Sequence, residues 1–309
     1  MTLFAPDVVL QKIKEGGEFN QAELSRLKLE SVNINQAKFI KCYMRGAVFT
    51  DSDFRQTNFK GTNLTFSSLY KVDLSQANLE RTEFNSATIT NSIFNDANGY
   101  KAKLFGAKLK NIQAVDANFS FADMRQVSGT NISFCSANLA KTWLSQTIWK
   151  QVDFERATIT NANFSNSTIN DSGWRKANLQ NTDLSRSKLY QGEFNAAGLV
   201  NTKFTQASLT LINFTAAELL EADFRHAELS QINFTDSTLL SANLEGAKLS
   251  QIDLTNANLQ DANFERTIWH KVNFTNCNVE GAVFSDVQGL SDEQKLWLKD
   301  HGALNVPLY

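Results

Sequence analysis

From Gly17 onward, every fifth residue of this chain is large and apolar, and no other feature limits its fold so severely. Counting from Phe19 to Phe284 in steps of five gives 54 central positions without insertion or deletion, and Phe, Leu, Ile, Met, Val or Trp fills 51 of them. The exceptions are Gly99, Ala114 and Gly129. Two places before the centre a small residue is usual. Immediately before it Asn or Asp is frequent, as in Ala257-Asn258-Leu259 and Ala262-Asn263-Phe264. Self-similarity at a fixed period takes precedence over local propensity. Neither a helix nor a flat strand repeats every five residues. A chain that does so turns a corner every five residues and buries one large side chain per side.

A longer period sets the number of sides. Large β-branched residues two places before the centre are Val32, Val72, Ile112, Ile132, Val152, Ile212, Ile232, Ile252 and Val272, with Val127 as the one stray. Those nine differ by multiples of twenty. Immediately before the centre, three of four phases carry Asn or Asp at 23 of 41 positions, and the fourth carries none in 13. That fourth phase begins Lys28, Val48, Ser68, Thr88 and is richer in β-branched residues, so it is expected to be the most strand-like side. The repeat is therefore twenty residues, four sides of five, in a solenoidal coil.

The motif A(N/D)LXX, carried in frame over about 265 residues, resembles the pentapeptide-repeat proteins. The resemblance implies an all-β solenoid, a right-handed quadrilateral β-helix. It implies much less about function, because that family hosts unrelated roles.

The frame divides the chain into residues 1–16, an N-terminal capping helix; 17–289, the β-helix; and 290–309, a C-terminal capping helix and tail. Pro6 suits a first helical position and Gly16-Gly17 a stop. Ser291-Asp292-Glu293-Gln294 has the form of a capping box, and Gly302 ends the helix it opens. Both caps cover coil ends that would otherwise recruit other chains. Coils stacked at strand spacing, about 4.8 Å, would make a rod of roughly 65 Å. Pro occurs only at 6 and 307, outside the coils, as backbone pairing between coils requires.

No segment has the length and hydropathy of a membrane span, and Met1–Leu10 lacks the features of a cleaved signal. Cys42, Cys135 and Cys277 are far apart and odd in number, which fits a reducing, cytoplasmic setting. Residues 1–150 carry 18 Lys/Arg and 13 Asp/Glu, a balance of +5; residues 151–309 carry 12 and 19, a balance of −7. An uneven axis of this kind can orient a partner.

Catalysis requires convergent polar groups in a concavity, and the pattern supplies none. His226, His270 and His301 are scattered, no Cys/His cluster has metal spacing, and no phosphate-binding fingerprint occurs. The Asn and Asp before the centres read as local backbone partners at corners, not as a metal array. No catalytic, metal or cofactor residue is assigned.

Three departures from pattern are informative. Around Gly99, Ala114 and Gly129, large residues stand at outward positions: Tyr100, Phe105, Val115 and Phe121. Either the frame slips locally and an aromatic turns inward, or these form an exposed patch for a partner. Trp149, Trp174 and Trp269 are wide for the core and are expected to bulge the coil. Val200, Leu220 and Leu240 share one outward position at intervals of twenty, an apolar ladder suited to a partner or a homodimer. The leading expectation is a non-enzymatic protein-binding scaffold in a bacterial cytoplasm, without direct nucleic-acid contact. The family resemblance adds a second expectation, a DNA mimic acting on DNA gyrase or topoisomerase IV. Those mimics tend to be acidic along the rod, whereas this chain is nearly neutral and its first half basic. A third expectation is a secretion-system accessory or effector.

Overall fold

A computed structural model describes residues 4–307; the first three residues of the expected N-terminal cap and the last two of the tail lie outside the described residues. The chain forms two compact units, Met1–Thr158 and Ile159–Tyr309.

The first unit opens with α1 (Pro6–Lys14), which buries Val9 and lays Lys12 Nζ 4.5 Å from the Phe19 ring centre. Strands β1 (Phe19–Asn20), β2 (Lys28–Glu30), β3 (Phe39–Ile40), β4 (Val48–Asp53), β5 (Ser68–Asp73), β6 (Thr88–Ile93), β7 (Lys108–Gln113), β8 (Ser128–Ser133) and β9 (Ile148–Asp153) follow. β1 pairs with β3, and β2 and β4 to β9 pair successively; all are parallel and offset by twenty residues, as in Phe49↔Leu69 and Ile112↔Ile132. The second unit repeats this in β10 (Thr168–Gly173), β11 (Lys188–Glu193), β12 (Ser208–Asn213), β13 (Glu228–Asn233), β14 (Lys248–Asp253) and β15 (Ile268–Asn273). It ends in α2 (Asp292–Asp300). From β4 onward each strand starts on the phase that lacks Asn and Asp, the side expected to be most strand-like.

The core is built from two residues of every five. The central residue and the one two places before it are buried, as in Ala217 with Leu219 and Ala222 with Phe224. Centres stack on the centres of adjacent coils: the rings of Phe204 and Phe224 lie 4.8 Å apart, nearly parallel, and those of Phe214 and Phe234 5.1 Å apart. Polar inward residues bond either the carbonyl three residues earlier in their own coil, as Ser187 does to Leu184 at 2.6 Å, or the preceding coil. Thr82 Oγ1 donates to the Phe59 carbonyl at 2.8 Å and Thr202 Oγ1 to that of Leu179 at 2.9 Å. Cys277 occupies the same position, and its thiol donates to the Leu254 carbonyl at 2.8 Å. Buried polar groups need such partners.

The residue two places after each centre makes the corner. From residue 21 to residue 286 every such position has positive φ, near 55°, in non-glycine residues such as Gln76 and Gln231 as well as in Gly106. Three corners per coil close as hydrogen-bonded turns, for example Thr57 N to Phe54 O at 3.1 Å and Thr62 N to Phe59 O at 2.9 Å. The fourth lies inside a strand, at Asp51 in β4 and Gln231 in β13. The Asn or Asp before a centre accepts from the backbone two residues on, as Asn63 Oδ1 does from Thr65 N at 2.9 Å. That is the local corner role expected of these residues.

The frame does not slip at the small centres. Gly129 stays in register with Leu109 and Trp149. The missing volume is filled from the next coil in the same column. A Cβ on Gly99 would meet the Phe119 ring at 2.3 Å, and one on Gly129 the Trp149 ring at 2.2 Å. Ala114 lies one coil before Phe134, beside a small apolar void of about 20 Å³. The inward-turning aromatic is thus the next centre, not Tyr100, Phe105 or Phe121. Trp149 sits over Gly129 and Trp269 holds register with Leu249, so neither interrupts the strand pairing.

The C-terminal capping box forms as expected: Ser291 Oγ accepts from Gln294 N, and Gln294 Oε1 accepts from Ser291 N. Leu298 of α2 is fully buried, and Trp297 packs on Phe274 at 5.1 Å. The residues after α2 return to the last coil, where Leu304 pairs in parallel with Val283. This extra rung covers backbone groups that an open edge would leave unpaired.

Candidate interaction surfaces

Corners and flat sides decide which side chains reach solvent. The residues directly before and directly after a centre almost all range from half-buried to exposed, and the corner residue two places after it is mostly exposed. Val200, Leu220 and Leu240 follow their centres directly and stack coil on coil, with Asn201 N bonded to Leu220 O and Glu221 N to Leu240 O, both at 2.9 Å. Their side chains are half-buried.

In the first unit Tyr100 is half-buried, while Phe105 is 38% and Phe121 44% exposed. The Tyr100 and Phe121 rings meet edge to face at 5.6 Å. Lys101 Nζ lies 5.0 Å from the Tyr100 ring centre and 5.8 Å from that of Phe121, which Lys141 Nζ approaches to 5.1 Å. Phe105 joins a second group, in which the Arg125 guanidinium lies 5.7 Å from its ring and 4.9 Å from Trp143. Arg125 also forks onto Asp123, with Nη2 2.7 Å from Oδ2. That hydrogen bond is the main cause holding the Arg125 guanidinium's pKa above its ordinary value. Cations over aromatic faces are attracted by the ring quadrupole.

Reading outliers singly missed Trp143, 55% exposed, Tyr43, 53%, and Phe66, 54%, the last with Arg45 at 4.6 Å. Their signal was positional. Tyr43 and Trp143 replace the usual Asn or Asp before a centre, and they share a residue number modulo twenty with Lys103 and Asp123.

Other concavities carry no comparable set. A groove of about 510 Å³ runs between α2 and the last coil, lined by Phe274, Cys277, Gln294, Trp297 and His301 among others. His301 Nδ1 lies 2.7 Å from the Trp297 carbonyl oxygen, and burial pushes the Cys277 thiol up to about 12. Among the described residues no three His, Cys, Asp or Glu side chains are grouped to hold a metal ion. No helix there is long and apolar enough to cross a membrane.

A parallel solenoid with four left-handed corners per twenty-residue coil, its surface built from outward columns, defines a class of repeat protein. The family model for the pentapeptide repeat region matches residues 15–89, 147–224 and 207–284, and that for pentapeptide repeats in eight copies matches 115–148. The chain belongs to the pentapeptide-repeat family. No curated relative matches it. Among solved structures, a trypsin-treated form of QnrB1, a plasmid-mediated fluoroquinolone resistance protein, is 16% identical, covering 74% of this chain and 95% of its own, with a TM-score of 0.49. HetL, involved in heterocyst differentiation regulation in the cyanobacterium Nostoc, is 22% identical over 91% of this chain and 97% of its own, with a TM-score of 0.20. A pentapeptide-repeat protein of the Arabidopsis thaliana thylakoid lumen is 31% identical over 36% of this chain and 74% of its own, with a TM-score of 0.21.

Proposed function

We propose that this chain is a non-enzymatic protein-interaction scaffold of a bacterial cytoplasm. The observation that supports it best is the group of exposed aromatic side chains on the first unit, Phe105, Phe121 and Trp143, steadied by Arg125, Lys101 and Lys141. Aromatic and arginine side chains on a rigid support are the usual anchors of protein interfaces. The half-buried ladder of Val200, Leu220 and Leu240 is a second, narrower surface for a partner or a second copy. Burying a fully exposed side chain of this size is worth about 1.5–3 kcal/mol, and less for one already half-covered.

Two triple variants test the reading: Phe105→Ser with Phe121→Ser and Trp143→Ser, and Val200→Ser with Leu220→Ser and Leu240→Ser. Each is compared with the parent by affinity capture with mass spectrometry and by analytical ultracentrifugation. Loss of specific partners in the aromatic triple supports the reading. Unchanged partners and oligomeric state in both triples, with circular dichroism intact, overturn it. Recovery of gyrase or topoisomerase IV subunits would favour the DNA-mimic reading, and recovery of secretion components the third.

A further inference from the structure

We infer that one side of the first unit docks an acidic protein surface. The inference rests on the scaffold reading and adds the chemistry of the partner. Residues 41–45, 61–65, 81–85, 101–105, 121–125 and 141–145 form this side. Parallel bridges run up its middle, from Tyr43↔Asn63 through Asn63↔Glu83, Glu83↔Lys103 and Lys103↔Asp123 to Asp123↔Trp143. Four cations, Lys41, Arg81, Lys101 and Lys141, stand along its leading corner, and Arg45, Lys103 and Arg125 on its flat. The side's own acids are Glu83 and Asp123, a balance of +5, and Glu80 at its margin lies 3.9 Å from Arg81. The other three sides between residues 41 and 145 hold five cations and six acids together, a balance of −1. The positive excess of the first half is thus gathered on one side, the same side that carries Tyr43, Phe105, Phe121 and Trp143, with Phe66 at its edge.

Among the described residues, Lys41, Arg45, Lys101 and Lys141 have no carboxylate within ion-pair distance. Lys103 and Arg125 show how the side receives one. Lys103 Nζ lies 2.8 Å from Glu83 Oε1, and Arg125 holds Asp123 through Nε and Nη2 while its Cζ lies over Trp143, 4.9 Å from the ring centre. A guanidinium stacked on a ring keeps its N–H edge free for carboxylates, a geometry lysine cannot copy. Nucleic acid fits less well. Its bases would have to displace cations already lying over Phe66, Phe105, Phe121 and Trp143, and its phosphates would pass Glu83 and Asp123. Complementary charge around aromatic anchors is the arrangement that steers and orients a protein partner.

The test measures binding of the full chain to a fluorescein-labelled peptide in which Glu alternates with Leu and Phe. Single- and double-stranded DNA and phosphatidylglycerol-containing vesicles serve as competing probes. Lys101→Glu with Lys141→Glu should weaken peptide binding by about tenfold or more, a change of ~1.4 kcal/mol. Lys108→Glu with Lys110→Glu, an equal charge change on a different side, should leave binding unaltered. Trp143, the one exposed tryptophan of the five, should become protected from acrylamide quenching when peptide binds. Equal weakening by both charge reversals, preference for DNA or vesicles, or no peptide binding would overturn the inference. If the aromatic triple variant loses its partners while Lys101→Glu with Lys141→Glu keeps them, the scaffold reading stands and the acidic partner does not.

Discussion

Substitutions at Gly129 and Trp149 should be strongly coupled, because the two residues share one space in one core column. Trp149 is fully buried, and a Cβ added to Gly129 would come within 2.2 Å of its Cζ3 and 2.3 Å of its Cε3. The indole is rigid and fixed in register by β8 and β9, so it cannot move aside cheaply. Gly129→Leu alone should therefore cost at least the ~1–3 kcal/mol typical of overpacking. Trp149→Leu alone leaves a cavity, at a cost of about 2–4 kcal/mol by comparison with other large-to-small core changes. Together the two changes produce a run of leucines following Leu109, the arrangement that Leu189, Leu209, Leu229 and Leu249 already form in the second unit. The double variant should be more stable than the sum of the singles predicts, by roughly 2 kcal/mol, within the range measured for contacting pairs. Urea denaturation followed by far-ultraviolet circular dichroism gives the four midpoints. Additivity of the two changes would refute size complementarity between successive coils.

Trp149→Phe should be milder than Trp174→Phe by about 1 kcal/mol, since Trp149 Nε1 has no hydrogen-bond partner whereas Trp174 Nε1 donates to Ser172 at 2.7 Å; comparison of denaturation midpoints checks it. Gln231→Val should be about 1–2 kcal/mol less stable than Gln231→Gly, although the site lies in a strand, because its φ is 57°. The opposite order in thermal melts would mean that strand propensity outweighs the corner. Phe214→Ala should cost about 3–5 kcal/mol and Thr215→Ala less than about 1 kcal/mol, the latter losing a hydroxyl bond to Asn213; equal melting shifts would contradict the assigned inside and outside. A hydrogen bond from the Arg55 side chain holds the Asp53 carboxyl below its ordinary range, so its stabilisation is full above the unfolded pKa and lost as pH falls through the lower folded value. Asp53→Asn should flatten the acid side of the stability profile, as acid titration monitored by circular dichroism will show.

Much of the fold was legible because its constraints recur. One Asn before a centre is weak evidence, but its absence from an entire phase located the strands from Val48 onward. The capping box of α2 was legible because its two hydrogen bonds require particular residue types at a fixed spacing. The left-handed corners were overlooked, though they left a trace: from residue 21 to residue 286 the corner position never holds Val, Ile or Thr. Those residues tolerate positive φ poorly. The packing of Gly99 under Phe119 is hidden in the sequence because the partners lie twenty residues apart, whereas Tyr100 is adjacent. The basic aromatic side was hidden for the same reason. Tyr43, Lys103 and Trp143 look unrelated until they are aligned by coil.

The coil separates two kinds of address along the chain. A residue's place in the core depends on its number modulo five, but the side it faces depends on its number modulo twenty. An insertion of twenty residues adds a coil and leaves every column aligned. An insertion of five keeps large residues inward yet carries everything after it around by a quarter turn. Placed between Phe66 and Lys101, such an insertion would leave Tyr43 on its side and move Phe105, Phe121 and Trp143 to the adjoining one. Strand phases would then meet turn phases at the junction, which confines the disturbance to one coil boundary. Gains and losses in fives thus give this architecture a way to redraw its surface while the interior is hardly altered, and length differences between relatives that are multiples of five but not of twenty would mark where a surface was rewired.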